Sequence, residues 1–179
     1  MPFLNECDLV HSKAIEGIAR SYMAWRDTLH VLFNNTVLTE PAKFEDISLE
    51  DWNRQIAVNL TAPFLCSQKL LPALKAAGGA VIIHHGSIDG VLGNPTLTAY
   101  SAAKGGQQPL THVIGHRLAQ HDIRPSEFFN YGFVTQWRGR HSGALGGSRN
   151  PLRRRYTWQA TSRPILTAVS SPFMAGAPD

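Results

Sequence analysis

Ser87, Tyr100 and Lys104 fall within one short stretch, "SIDGVLGNPTLTAYSAAK", with the tyrosine thirteen residues after the serine and the lysine four residues further on. On a helix, residues four apart share a face, so the Lys104 ammonium can sit beside the Tyr100 phenol. A free tyrosine has a pKa of about 10 and is a poor acid–base group near neutrality. A neighbouring cation favours the phenolate and lowers that value, which makes the phenol a usable proton donor and acceptor. Ser87, placed just after the apolar run "AVII", can hydrogen-bond a carbonyl or alcohol oxygen. Tyr-x-x-x-Lys alone occurs widely on solvated helices. The serine upstream, at the end of a strand, makes the set specific to a site.

The elements that must position these groups are readable from periodicity. Residues 3–9 form a short apolar run that suits a strand. Residues 11–28 place Ala14, Ile15, Ile18, Ala19, Tyr22, Met23 and Trp25 at helical spacing. "HVLFNN", 30–35, suits a strand running into a loop. Ser48 and Asp51 form a capping box ahead of a helical pattern that runs to about Lys75 and stops at Gly78 and Gly79. "AVII", 80–83, is a buried strand, and residues 100–119 a second long helix. Gly105, Gly106 and Pro109 weaken that helix, and Pro109 should kink or interrupt it. Residues 123–129, "IRPSEFF", form another strand, with Pro125 arguing for irregularity. This β-α-β-α-β-α-β order is that of a parallel sheet with helices packed on it.

Composition sets outer limits. The chain has 179 residues, 43% hydrophobic and 17% charged, which suits one folded domain. No apolar run approaches the ~20 residues of a membrane helix, and no secretory signal is visible. Two cysteines, Cys7 and Cys66, are too few for a disulfide framework, so free thiols and a cytoplasmic location are expected. The net charge of +4 is unevenly placed: residues 1–136 carry −2, and residues 137–179 carry seven arginines, no lysine and one acid. The chain therefore divides into an α/β domain, 1–136, and a basic, irregular tail, 137–179, in which "ILTAV", 165–169, is the one strand-like run. A nucleic-acid partner would rest on that tail alone, and a solvated tail is the simpler reading of Arg153–Arg155.

The blocks "ECDL", "VLFNN", "VNLTAPFLCSQ", "GGAVII", "GSIDG", "AYSAAKGG" and "HDIR" together resemble the short-chain dehydrogenase/reductase family over about residues 6–135. The resemblance implies an incomplete doubly wound, Rossmann-like α/β sheet with flanking helices, beginning at the family's third strand. It also implies NAD(P)-dependent oxidoreduction of a carbonyl/alcohol pair. By position, Tyr100 would be the proton donor and acceptor. Lys104 would lower its pKa and hold the nicotinamide ribose. Ser87 would orient the substrate oxygen, and Asn59 would hold a water linking Lys104 to solvent. Asp8 would contact the adenine and Asn35 the nearby ribose, while Gly132 and Val134 would pass the nicotinamide. The partner is a small carbonyl or alcohol substrate, and a homo-oligomer is implied through the helices matching 49–76 and 100–119.

The departures shape a second expectation. The family's Gly-rich T-G-x-x-x-G-x-G turn, which lets backbone approach the pyrophosphate, has no counterpart ahead of Asp8. Its Asn-Asn-Ala-Gly reads Asn34-Asn35-Thr36-Val37, and its proline–glycine reads Tyr131-Gly132. Gln107 and Gln108 stand where an apolar helix face is usual. "GALGG", 143–147, lacks the flanking strand and helix of a replacement cradle. A catalytically silent binding or scaffold subunit is thus the alternative to an enzyme. The lysine-free tail also matches an out-of-frame reading of a GC-rich gene, which points to a truncated or damaged gene. Bland readings attach to the remaining candidates. Asp8 can simply cap the helix beginning near Ser12. His84 and His85, beside Ser87, can line the site or be ordinary strand-end residues, and His112 and His116, four apart without a third partner, ordinary helix histidines rather than metal ligands.

Overall fold

The computed structural model describes residues 7–129 and 165–168. The elements in order are α1 (Ser12–Trp25), β1 (Val31–Asn34), α2 (Leu49–Ile56), α3 (Ala62–Lys69), α4 (Leu71–Ala76), β2 (Ala80–Gly86), α5 (Asp89–Leu92), α6 (Thr98–Leu118), β3 (Ile123–Phe129) and β4 (Ile165–Ala168). The strands form one parallel sheet in the order β3-β2-β1-β4. This is the expected incomplete doubly wound α/β arrangement.

Each strand follows its sequence pattern. In β2, Ala80, Ile82, His84 and Gly86 are buried while the residues between them are less so. β1 pairs Leu32 with Ile82, and β3 pairs Ile123 with Ala80, so these side chains share one face. Ala19 and Tyr22 of α1, Leu70 of the α3–α4 junction and Ala73 and Leu74 of α4 close over that face, with Ile114 and Leu118 of α6 at its border. The non-directional gain from burying this apolar set, about 25 cal/mol per Å², is what joins helices to sheet.

Several local expectations need adjustment. Cys7 and Asp8 are irregular and Leu9 lies in a turn, so no strand occurs at 7–9; residues 3–6 lie outside the described residues. In α1 the inward set is Ile15, Ala19 and Tyr22, whereas Met23 and Trp25 are exposed. The single helix expected from Ser48 to Lys75 is three helices. Ser48 caps α2 by accepting the Asp51 N–H at 3.0 Å, as its sequence predicts. A π-helical turn at Ala57–Thr61 then separates α2 from α3, and Leu70 leaves helical geometry ahead of Pro72. Gly78 and Gly79 end α4 with φ of +60° and +125°, conformations that favour glycine.

α6 runs through Pro109 without a break, which removes the interruption from the two expected effects and leaves the kink. The missing Pro109 N–H leaves the Gly105 carbonyl without its usual helical donor, and Gly105 has no side chain to crowd the proline ring. β3 spans 123–129 as expected, yet Pro125 sits in it without irregularity. Among the described residues β3 is an edge strand, where a residue lacking N–H is tolerated. Within "ILTAV", β4 pairs in parallel with β1. The rest of the basic tail, including its arginines, lies outside the described residues, as does the boundary at residue 136.

Candidate functional site

The C-terminal ends of the parallel strands carry the polar residues, where α/β sheets place their ligands. β2 delivers Ser87 there directly, because the strand runs to Gly86. α5 then packs its backbone onto α6: a Cβ at Gly90 would lie 2.6 Å from the Lys104 carbonyl carbon, and one at Gly105 would lie 3.0 Å from the Gly90 carbonyl oxygen. Glycine on both sides of this contact seats the turn of α6 bearing Tyr100 and Lys104 beside the Ser87 loop.

The Ser87 hydroxyl is near enough to the Tyr100 phenol to hold its pKa down. The serine Oγ accepts the Asp89 N–H at 3.2 Å, which fixes the hydroxyl at the start of α5. Tyr100 is buried, and Lys104 is only 2% exposed. The Lys104 Nζ lies 5.7 Å from the Tyr100 ring centroid. It donates to the His85 carbonyl and, at 3.2 Å, to Gln107 Oε1. The three groups singled out by spacing therefore meet at one place.

Their electrostatics differ from the expectation. Burial pushes the Tyr100 phenol above its ordinary value, the Ser87 hydroxyl pulls it down, and the Asp89 carboxylate pushes it up again. The ammonium is turned towards the His85 carbonyl and Gln107, so it is not the dominant influence on the phenol. Burial also brings Lys104 down to about 8, opposed by the Glu127 carboxylate.

Asn59 sits in the π-helical turn and is fully buried. Its Nδ2 donates to the Leu38 carbonyl at 2.7 Å and the Gln55 carbonyl at 2.9 Å, while its Oδ1 accepts the Leu38 N–H at 3.0 Å. A π turn is a frequent device at functional sites, and here it carries an inward amide that ties down the loop after β1. The Asn35 backbone, just past β1, opposes the fall that burial imposes on the His85 imidazole. Asp8 lies apart from this cluster. Its Oδ1 accepts the Val10 N–H at 2.9 Å and Oδ2 lies 3.8 Å from His11 Nε2, so it braces the turn leading into α1. Gly132 and Val134 lie outside the described residues.

Two contributors, Gln107 and Glu127, were not chosen from sequence, and a third, His84, was weighed there against an ordinary strand-end reading. His84 is fully buried, 3.4 Å from the Thr111 hydroxyl, and burial first and the Lys104 charge second bring it down to about 4. Gln107, an oddity on an apolar helix face, is a partner of the ammonium. The Glu127 carboxylate on β3 is near enough for its charge to act on the same ammonium. A polar residue on the inward parity of a core strand was the available signal for both His84 and Glu127. His112 and His116 are exposed on α6.

The sequence is 36% identical over 152 residues to a trans-4-hydroxycyclohexanecarboxylate dehydrogenase of Sinomonas cyclohexanicum, covering 84% of this chain and 58% of that protein. It is 40% identical over 97 residues to a cyclohexanol dehydrogenase of an Acinetobacter species, covering 54% and 39%. The chain thus spans about half the length of the curated relatives it matches. A crystal structure of a metagenomic short-chain oxidoreductase in complex with NADP superposes with a TM-score of 0.66 at 32% identity, covering 70% of this chain and 56% of that one. A sequence model described as short chain dehydrogenase matches residues 3–142. With that match and the fold on the page, the chain belongs to the short-chain dehydrogenase family.

Proposed function

We propose that the protein takes part in reversible hydride transfer between NAD or NADP and a ketone or secondary alcohol, with Tyr100 as proton donor and acceptor. The observation that carries this reading is the buried Tyr100 ring with the buried Lys104 ammonium 5.7 Å from its centroid, beside the Ser87 loop. A substrate oxygen placed between the serine hydroxyl and the phenol receives two hydrogen bonds, and the phenol proton moves to it as it gains negative charge. The relatives named for ring alcohols support a secondary alcohol as the substrate class.

The residues fit the nicotinamide end of such a cofactor. Lys104 uses two of its three N–H donors on protein acceptors and has a third for a ribose hydroxyl. Asn35 lies next to the same strand ends, and Asp8, Gly132 and Val134 are the further contacts this reading assigns. When bound, the nicotinamide supplies the hydride. Asn59 spends both amide N–H groups on carbonyls, so a water held there is a donor to its oxygens, relaying protons towards Lys104. Among the described residues no helix is long and apolar enough to cross a membrane. The cytoplasmic location of this reading rests on the two cysteines read as free thiols, and its homo-oligomer on the family resemblance alone.

A second reading, a catalytically silent subunit, draws on the ammonium being engaged by His85 and Gln107 rather than by the phenol oxygen. Titration of NADH and NADPH, followed by quenching of tryptophan fluorescence, separates the two. Saturable binding of either is expected, and no binding of either up to millimolar concentration overturns the enzymatic reading.

A further inference from the structure

We propose that Glu127 is a positioning residue of this site: its carboxylate is the counter-charge that keeps the buried Lys104 side chain an ammonium ion. The inference rests on the reading of Tyr100 and Lys104 as a proton-transfer pair, and it goes beyond that reading by adding a carboxylate from a different strand.

Geometry brings the two groups to neighbouring residues of one strand, without a direct ion pair between them. Glu127 is paired with His84 across β2 and β3, so its side chain projects from the same sheet face as His84, Gly86 and α6. A Cβ built at Gly86 would lie 2.7 Å from Glu127 Oε1 and 2.8 Å from its Cγ. The carboxylate therefore lies over Gly86, in space open only because that residue is glycine. The Lys104 Nζ bonds the carbonyl of the preceding residue, His85. Ammonium and carboxylate thus approach consecutive residues of one strand from two elements. Glu127 Oε1 is buried and has no hydrogen-bond partner among the described residues.

A lone ammonium at 2% exposure tends to lose its proton, because burial disfavours the charged form. The groups facing it from β2, His84 and His85, push in the same direction if they gain charge. Glu127 opposes this, and Lys104 and His112 of α6 in turn draw its carboxyl down while burial raises it. The neighbours give the carboxylate one role that closes: it offsets the desolvation of the ammonium. Without it, Lys104 would shed its proton nearer neutrality, and its donors to His85, Gln107 and a ribose hydroxyl would weaken together.

The test is a side-chain titration of Lys104 in the whole chain, by heteronuclear NMR of isotope-labelled lysine, with Lys104→Arg used to assign the signal. In Glu127→Gln the midpoint should fall by about 1 pH unit. Gly86→Ala, whose methyl group must displace the carboxylate, should move it in the same direction. Should Glu127→Gln fail to fold, Gly86→Ala decides alone. An unchanged midpoint in a folded variant overturns the proposal. The measurement needs no cofactor. If the wild type binds neither NADH nor NADPH yet Glu127→Gln still shifts the midpoint, the charge pairing stands and the enzymatic reading falls.

Discussion

α6 and β2 lie side by side, and the two ends of their contact are chemically opposite. At one end Ile114 and Leu118 meet a cluster built on Ala80, Ile82 and Leu74, all apolar. At the other end the same helix and strand bring together Lys104, Gln107, Thr111, His84 and the Gly86 gap filled by Glu127. The inward parity of β2 is continuous from Ala80 to Gly86, so the change is one of residue type and not of geometry. The apolar end supplies stability that is indifferent to pH. The polar end buries titratable groups at a cost and leaves His84 Nε2, Gln107 Nε2 and Glu127 Oε1 without partners among the described residues. A fold carries such groups where they serve chemistry, and one end of the layer anchors what the other end strains.

The largest effect that can break this contrast is functional. Tyr100→Phe should reduce turnover of a secondary alcohol by about 10²–10⁴-fold, the usual worth of a positioned acid–base group, while the thermal midpoint barely moves. Equal losses of activity and folding would make Tyr100 a packing residue like those at the other end. Leu74→Ala, at the apolar end, should do the reverse. It should cost about 2–5 kcal/mol in a urea melt, the range for truncating a fully buried leucine. It should leave the specific activity of the folded fraction intact.

The third prediction concerns pH. His84 titrates near 6.5 when unfolded and at about 4 in the fold, so it is neutral in the native site. The unfolded chain takes up the proton first as pH falls, so stability is whole above about pH 6.5 and declines towards pH 4. The loss should reach about 3 kcal/mol. His84→Leu should flatten this decline in unfolding measured at successive pH values; an unaltered slope would show that His84 is not its source. Ser48→Ala should have the smallest effect. It removes an exposed cap far from either end and should cost about 1 kcal/mol with no change in activity or pH dependence.

Legibility followed the range of the interactions concerned. β3 occupies 123–129 as its pattern indicates, and the Ser48 cap and the Gly78–Gly79 stop are where local signals put them. The break of one long helix into α2, a π turn, α3 and α4 was not legible, because each piece is helical in pattern and only packing shifts the register. Pro109 and Pro125 misled for the same reason: the helix tolerates one beside Gly105, and the other lies on what is, among the described residues, an edge strand. Asn59 was legible as a notable amide. Its bonds to the Leu38 backbone depend on a loop 21 residues away in sequence.

Residue types and their spacing were enough to indicate the parallel α/β order and to single out Ser87, Tyr100 and Lys104. Those conclusions rest on contacts within a helical turn or along one strand, which any chain carries in its local pattern. Only the tertiary structure decided that the ammonium would turn to His85 and Gln107 within reach of the Glu127 charge, and that burial would raise the phenol despite the lysine. Desolvation and Coulomb forces depend on everything brought within a few ångströms, and those neighbours arrive from separate strands and helices.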